Sequence, residues 1–217
     1  MLHELDKTLE KLIYERGNIL RDQVDVSFDQ PSSEWSSRLS RPAVNCWCFS
    51  LTENIKLRQK DMRVNQNVRM QFPNGIERGK NGEVPRARLE LPPLRMDLTY
   101  LITAWAREIE DEHQLLWRAL GAFAQVPFLD PEQCEGDSIR EQPYNIPLVV
   151  AQIGEGMATF TDIWSVLDNQ MRLSFTLTAT LALETGRGFE SPLTFDPTFV
   201  FGQSGRPDKS RMDTRDM

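Results

Sequence analysis

The stretch from Arg88 to Ala124 constrains the fold most, because a long alternating segment runs directly into a segment with helical periodicity. Apolar residues occupy the even positions from Leu94 to Ala104 and polar residues lie between them, which is the two-residue period of a half-buried strand. From Leu101 to Trp105 the opposite face also becomes apolar. The second half of this strand is therefore predicted to be covered on both sides, at the centre of one domain.

The helix after this strand is predicted to begin near Asp111, which with Gln114 resembles a capping box. Glu110 and Glu112 place negative charge at the positive end of the helix dipole. One apolar stripe follows, formed by Leu115, Leu116, Ala119, Leu120 and Phe123. Gly121 lies within the helix at a cost of ~1 kcal/mol relative to alanine. The stripe matches the apolar face of the strand, so the two are expected to form the core.

The length and net charge of the chain favour a single-domain protein over a membrane or nucleic-acid-binding protein. With 217 residues and 40% hydrophobic content, the chain is long enough for one sizeable core and hardly for two full domains. Apolar runs stay well short of the ~20 residues of a membrane helix, and the start is charged where a signal peptide is apolar. A net charge of −7 argues against broad nucleic-acid binding and favours a soluble particle or partner-binding protein made in the cytosol.

The remaining periodic segments predict further helices and strands around the central pair. They are an amphipathic helix from Leu2 to Gly17 on the sheet, a short strand at 24–28, an interior strand at 43–51, a buried strand at 147–153, a short helix capped by Thr161 with Ile163, Trp164, Val166 and Leu167 buried, and an alternating strand at 172–183. In the last strand the leucines face the core, and the threonine face is expected to be wet or to contact a partner.

Two segments differ in character from this body. Residues 60–90 hold seven basic and four acidic residues, a net +3, and two Asn-Gly pairs typical of hairpin turns. A hairpin with arms at 62–72 and 84–91 is predicted, the alternative being a solvated charged ribbon. Residues 185–217 hold five basic and five acidic residues and are predicted to form an extended tail. The predicted organisation is a domain at 1–184, with the arm at 60–90, and a tail at 185–217.

Residues that carry chemistry are few. His3 and His113 lie in separate predicted helices outside any metal-binding pattern, and phosphate-loop, dinucleotide-binding and serine-hydrolase motifs are missing from the sequence. Asp111, Glu112 and His113 are adjacent, but neighbours on a helix point in different directions. The cysteines, Cys46, Cys48 and Cys134, are interpreted as reduced core residues. The sequence thus predicts no catalytic residue, no metal and no cofactor, and a protein that is not an enzyme.

Several segments together resemble the N-terminal domain of cap proteins, the tail terminators of contractile injection systems of the antifeeding-prophage and virulence-cassette type. The resemblance covers roughly residues 1–184 and is carried by VSFD (26–29), SRPAVNCWCFSLTENIKLR (40–58), PPLRMDLTYLITAWA (92–106), DEHQLLWRAL (111–120) and DIWSVL (162–167). It implies an α/β (α+β) fold similar to phage tail terminators, with a mixed, largely antiparallel sheet flanked by helices. It also implies a homohexameric ring that closes the inner tube and engages the last sheath layer.

The composition of the chain is consistent with such a role. An acidic domain, the basic arm at 60–90 and the tail at 185–217 with its aromatic residues are typical of a subunit that acts through surface contacts. The arm and the tail are expected to be held by neighbouring subunits or by the tube and sheath proteins. The candidate interface residues are Arg63, Arg69, Arg78, Lys80, Arg86, Arg88, Phe195, Phe199 and Phe201.

The expected location is the cytoplasm, within an assembled particle that is released or membrane-associated, without nucleic acid or direct membrane insertion. Two alternatives stay open at this point: a small cytosolic hydrolase that uses carboxylates, and a monomeric adaptor.

Overall fold

The computed structural model describes residues 1–58, 63–64, 86–152, 160–167 and 171–192. The chain divides into two compact units. The first comprises Met1–Asp61 and Leu91–Gly186, and the second comprises Met62–Glu90 and Arg187–Met217. Within the described part of the chain, no helix is both long and apolar enough to cross a membrane.

The first unit is built on a six-stranded sheet. Its elements are α1 (Leu2–Arg16), β1 (Asp25–Ser27), α2 (Ser33–Ser37) and β2 (Ala43–Glu53), then β5 (Leu94–Trp105), α3 (Ile109–Ala124), β6 (Phe128–Leu129), α4 (Asp137–Arg140), β7 (Ile146–Val150), α5 (Phe160–Val166) and β8 (Ser174–Leu183). The strand order is β1-β2-β5-β8-β7-β6. Only the β1–β2 pair among these is parallel, so the predicted α+β class with a mixed, largely antiparallel sheet is confirmed.

β5 lies at the centre of this sheet. It pairs with β2 from Ala43 opposite Trp105 onward, and with β8 from Leu94 opposite Leu183 onward. A β-bulge interrupts the β2 ladder between Cys48 and Ser50. The alternation of β5 places its even-numbered apolar side chains on one face, as the sequence predicted.

α1 and α3 pack on this face of the sheet and form the main core with it. Tyr100, Ile102 and Phe123 are each at most 1% exposed in this core. The hydroxyl of Tyr100 donates a hydrogen bond to Oδ1 of Asp6 at 2.8 Å, which links α1 to β5. Partial burial raises the pKa of the Asp6 carboxyl, while this hydrogen bond lowers it by a smaller amount. The predicted positions of both helices on the sheet are confirmed.

The opposite face of β5 carries a second apolar cluster. Leu101 and Trp105 pack there with Ile163, Trp164 and Leu167 of the α5 segment. The rings of Trp35 and Trp105 meet edge to face at 5.5 Å between centroids. The second half of β5 is therefore covered on both sides, as its sequence predicted.

The threonine face of β8 differs from the prediction. Thr176 is 2% exposed and Thr180 4% exposed, so neither is wet or available to a partner. Thr180 donates to Oδ1 of Asp97 at 2.6 Å and Thr176 donates to the carbonyl oxygen of Gln152 at 2.8 Å. Hydroxyl groups that find such acceptors can be buried at little cost. The alternation was thus predicted correctly, but the predicted environment of these two threonines was wrong.

Both predicted helix caps are wrong. α3 begins at Ile109 with Glu108 as its N-cap residue, and Asp111 lies in the first turn. The acidic first turn still complements the helix dipole as predicted. Thr161 lies inside α5, which starts at Phe160, and Val166 is 72% exposed rather than buried.

The three cysteines are free thiols, but they do not share one environment. Cys46 and Cys134 are buried, as predicted, and burial raises the pKa of both thiols. Cys48 is exposed, so its assignment to the core was wrong. It still pairs in regular register, opposite Tyr100, and is the last residue of β2 to do so before the β-bulge.

The second unit contains a three-stranded antiparallel sheet with the order β3-β4-β9. Its strands are β3 (Arg63–Val64), β4 (Arg86–Glu90) and β9 (Gly188–Pro192). β3 and β4 coincide with the base of the predicted hairpin, whereas the Asn-Gly turns lie outside the described residues. Sequence reasoning missed β9, which pairs with β4 along its whole length. The predicted boundaries at 60–90 and at 185 stay predictions.

Candidate assembly surfaces

The candidate interface residues of the sequence fall into two groups in the structure. Arg63 lies in β3, and Arg86 and Arg88 lie in β4. The others lie outside the described residues: Arg69, Arg78, Lys80, Phe195, Phe199 and Phe201. The structure therefore brings three of the predicted basic residues onto adjacent strands of one sheet.

Backbone register places opposite charges at facing positions in this sheet. Arg63 is opposite Glu90 across the β3–β4 pair, and Arg88 is opposite Glu190 across the β4–β9 pair. Facing positions of opposite charge favour a given strand pairing by a fraction of a kcal/mol, about 0.2–1 kcal/mol in typical sheets. The charge pattern thus supports the observed order of the three strands.

Charge is also divided unequally between the two units. The second unit holds 11 basic and 8 acidic residues, a net +3, whereas the first holds 14 basic and 24 acidic residues, a net −10. Surfaces of opposite sign on identical chains attract each other between copies and set the orientation of the encounter. The two units therefore carry net charges of opposite sign.

The outer face of α3 is a second candidate surface, and sequence reasoning did not find it. We define it as the side turned away from the core, with Ile109, His113, Trp117 and Gly121 along it. Ile109 is 68% exposed and Trp117 is 74% exposed. A Cβ atom built on Gly121 would meet no atom within 4 Å. The available signal was the position of Trp117 opposite the predicted apolar stripe.

The histidines and their acidic neighbours do not form a catalytic group. His113 is exposed on α3, whereas the Glu112 carboxylate accepts a hydrogen bond from the backbone N–H of Ala106 at 3.3 Å and pairs with Arg172. Nε2 of His3 lies 3.9 Å from Oε1 of Glu4. Among the described residues, no group of three or more His, Cys, Asp or Glu side chains is placed to hold a metal ion.

A cleft of about 500 Å³ lies between residues 36–42 and the junction of β5 with α3. The guanidinium of Arg172 stacks over the Trp105 ring at 4.3 Å and also pairs with Glu112. Arg41 in the same cleft pairs with Asp25. Arg41 and Arg172 are therefore engaged by carboxylates of their own chain, and Arg107 also lines the cleft.

The six-stranded sheet ends in short edge strands. β1 has three residues and β6 has two. Near the β6 edge, Phe128 is 59% exposed and Val149 is 38% exposed. Short edge strands limit uncontrolled pairing with other chains.

The model of the Pvc16 N-terminal domain family matches residues 4–192. The chain belongs to this family. The resemblance to the cap-domain family in the sequence is thereby confirmed. A search of curated proteins finds no match.

Two solved structures share the fold of this family member. One is the sheath/tube terminator of the extracellular contractile injection system PVC in its extended state, with a TM-score of 0.59, 17% identity and 97% of this chain covered. The other is the tube-terminating cap of the anti-feeding prophage, with a TM-score of 0.56, 17% identity and 91% covered. The chain spans 66% and 60% of the lengths of those chains. Both are terminator or cap proteins by name.

Proposed function

We propose that the protein is a structural cap that terminates the inner tube of a contractile injection system and engages its last sheath layer as a six-fold ring. The observation that carries the proposal is family membership over residues 4–192, which includes both the six-stranded sheet and the β3-β4-β9 sheet. Fold similarity to a sheath/tube terminator and to a tube-terminating cap supports it. The partners are other copies of the chain, the tube protein and the sheath protein.

The charge division supports ring formation in particular. In a closed ring each copy presents one surface to its neighbour and a different surface to the next copy. A basic second unit and an acidic first unit supply such a pair of unlike surfaces. Exposed ion pairs contribute only ~0–1 kcal/mol each, so they orient the ring, and burial of apolar side chains provides most of the affinity.

The C-terminal segment has a separate role in this proposal. Residues 193–217 contain Phe195, Phe199 and Phe201 among polar and charged residues. We assign these aromatic residues to contacts with a neighbouring copy or with the tube or sheath. The domain at 1–184, the arm and the tail then correspond to a core and two contact segments. The protein works inside the assembled particle.

The test is the length of the tubes formed in a cell that expresses the tube and sheath proteins with or without this chain. With the wild-type chain, particles have a narrow length distribution and a closed end. Without it, tubes elongate beyond the normal length or lose their sheath. The control is a chain that carries Val166→Ala, a change at an exposed side chain of α5. It should give the same particle length as the wild-type chain. Normal particle length without the chain contradicts the proposal.

A further inference from the structure

We propose that the outer edge of β2 receives residues 198–201 of a second copy as an added strand. This inference rests on the proposed function, in which copies of the chain meet in a ring, and it names the site that holds the C-terminal segment. Three observations carry it: a strand edge that extends beyond its neighbour β1, apolar side chains exposed beside that edge, and a short run of strand-forming residues after β9.

β1 covers only the first part of β2. The pairing of these two strands ends at Asn45, whereas β2 continues to Glu53. Within the described part of the chain, β5 is the only strand that pairs with residues 46–53. After the β-bulge, residues 50–53 pair with β5 in regular register. A strand edge of this kind can add an extended segment of another chain through main-chain hydrogen bonds.

Backbone donors of this run point away from β5. The N–H of Asn54 donates to the carbonyl oxygen of Arg95 at 2.7 Å, and Arg95 belongs to β5. Hydrogen-bonded and non-hydrogen-bonded pairs alternate along an antiparallel ladder, so the N–H groups of Leu51 and Glu53 are directed to the other side. An added strand can accept hydrogen bonds from these two donors.

Large apolar side chains are exposed around the end of β2. Leu51 is 57% exposed, and Ile55, in the short 3₁₀ helix Ile55–Leu57, is 71% exposed. Leu57 is 44% exposed. Single exposed apolar residues are normal at a protein surface, whereas a group of them marks a site of contact with a partner. The open edge of β2 therefore lies beside apolar surface that a partner can bury.

The occupant is argued from the segment that follows β9. β9 ends at Pro192, and residues 193–217 follow it, outside the described part of the chain. This segment contains one run of four β-branched or aromatic residues between a proline and a glycine, namely Thr198, Phe199, Val200 and Phe201. Such residues have the highest preference for strands, and the flanking residues are typical of strand ends.

The run at 198–201 matches the edge in length and in pattern. It has four residues, as does the regular run at 50–53 of β2. The two-residue period of an added strand would place Phe199 and Phe201 on the same face. Two aromatic rings on one face can cover apolar side chains such as Leu51 and Ile55, which supplies burial in addition to the main-chain hydrogen bonds.

A second copy supplies the segment. In the isolated chain both Leu51 and Ile55 are more than half exposed, so the contact that buries them comes from outside the chain. Each copy carries one donated segment and one receiving edge, which are two different surfaces. Exchange between neighbours uses both surfaces once per copy and repeats around a closed ring.

The contact can be mapped in assembled particles. Phe199 is replaced by the photoreactive aromatic residue p-benzoylphenylalanine, and these copies are mixed with an excess of unmodified copies in heavy isotopes before assembly with the tube and sheath proteins. The expected product joins position 199 of one copy to residues 50–57 of another, identified by mass spectrometry. Cross-links within one copy, to another surface or to the tube or sheath protein overturn the inference and leave the cap intact.

Proline substitutions separate strand addition from a contact of side chains alone. Successive N–H groups of a strand alternate in direction, so in either register one of Phe199→Pro and Val200→Pro removes a donor to β2. That variant should weaken self-association about tenfold or more relative to Phe199→Ala, which lacks only the ring. Thr214→Pro, in the same segment, is the control and should leave association unchanged. Association of both proline variants equal to that of Phe199→Ala overturns strand addition.

A mixture of two defective chains tests the pairing of segment and edge. Deletion of 193–217 removes the donated segment, whereas Leu51→Lys with Ile55→Lys keeps the segment and places charges at exposed positions of the edge. Val166→Lys, at a 72% exposed position of α5, is the matched control and should associate like the wild-type chain.

Each defective chain alone should be a monomer in sedimentation velocity, and their equimolar mixture should form a dimer through the one intact pair of surfaces. A mixture that stays monomeric while the wild-type chain forms rings overturns the inference and leaves the ring intact. A wild-type chain that neither self-associates nor caps tubes overturns the proposed function together with this inference.

Discussion

Tyr100→Phe tests the link between α1 and the centre of the sheet. Tyr100 is 1% exposed, and its hydroxyl donates to Oδ1 of Asp6 at 2.8 Å. The substitution removes one oxygen atom and keeps the ring, so packing in the core changes little. The carboxylate of Asp6 then loses the hydrogen bond that the Tyr100 hydroxyl donates to it.

The magnitude follows from the charge and burial of the acceptor. A hydrogen bond to a charged group contributes about 1.5–3 kcal/mol. Asp6 is only partly buried, so water replaces part of the lost bond, and we expect a loss of about 1–2 kcal/mol. For a chain of this size, each kcal/mol lowers Tm by about 2–4 °C. The expected decrease in Tm is therefore about 2–8 °C at pH 7.

The loss of stability caused by Tyr100→Phe should depend on pH. Burial raises the pKa of folded Asp6 above its ordinary value of 3.8, so the folded state binds this proton more tightly than the unfolded state does. Stability from this group is therefore greatest below pH 3.8 and decreases as pH rises through the folded pKa. Removing the Tyr100 hydroxyl raises that pKa further. The deficit of Tyr100→Phe should accordingly be larger at pH 7 than at pH 4.

The assay is urea unfolding followed by circular dichroism at both pH values. Tyr14→Phe is the matched control, because the Tyr14 hydroxyl donates to the carbonyl oxygen of Val24 at 3.2 Å, an acceptor that does not titrate. Its deficit should be similar at the two pH values. Equal deficits of Tyr100→Phe at pH 4 and pH 7 would refute the assignment of this hydrogen bond to an ionised Asp6.

We expect three further outcomes, for the core, for His113 and for the tail. Leu116→Ala should destabilise by about 2–5 kcal/mol in denaturant unfolding, and Leu120→Ala by less because that side chain is only partly buried; equal effects would argue against this placement of α3. His113→Ala should leave the fold intact in thermal melts, and loss of an enzymatic activity with fold and assembly preserved would revive the hydrolase alternative. Deletion of 193–217 should leave a folded protein that caps poorly, whereas deletion of 188–217 should also lower Tm because it removes β9 from β4; normal capping by the shorter deletion would show that the tail is idle.

The sequence could predict the elements whose periodicity is strong. β5 and β8 alternate over ten or more residues, and the stripe on α3 matches the buried face of β5. Periodicity fixes which side chains share a face, but it does not fix what covers that face. The buried side of Thr180 depends on Asp97, a residue 83 positions away. The alternating pattern therefore could not predict what surrounds the threonine face.

Local irregularities explain the other differences. The bulge between Cys48 and Ser50 interrupts the regular alternation of β2 after Cys48. Glu108 precedes the helix start that the spacing of Asp111 and Gln114 suggested. β9 is a five-residue strand bounded by glycine and proline, and its partner β4 lies about 100 residues earlier, so its pairing leaves no local signal. Of the candidate surfaces, the charge of the arm could be read from composition. The exposure of Trp117 required the placement of α3 on the sheet.

The central claim is that this chain closes the end of the tube. Electron cryo-microscopy of the particle end tests it most directly, with the particles assembled from the tube protein, the sheath protein and the wild-type chain. We predict a six-fold ring of this chain at one end only, in contact with the last tube ring and the last sheath layer. Particles whose closed end lacks the chain, or a chain distributed along the length of the tube, would contradict it.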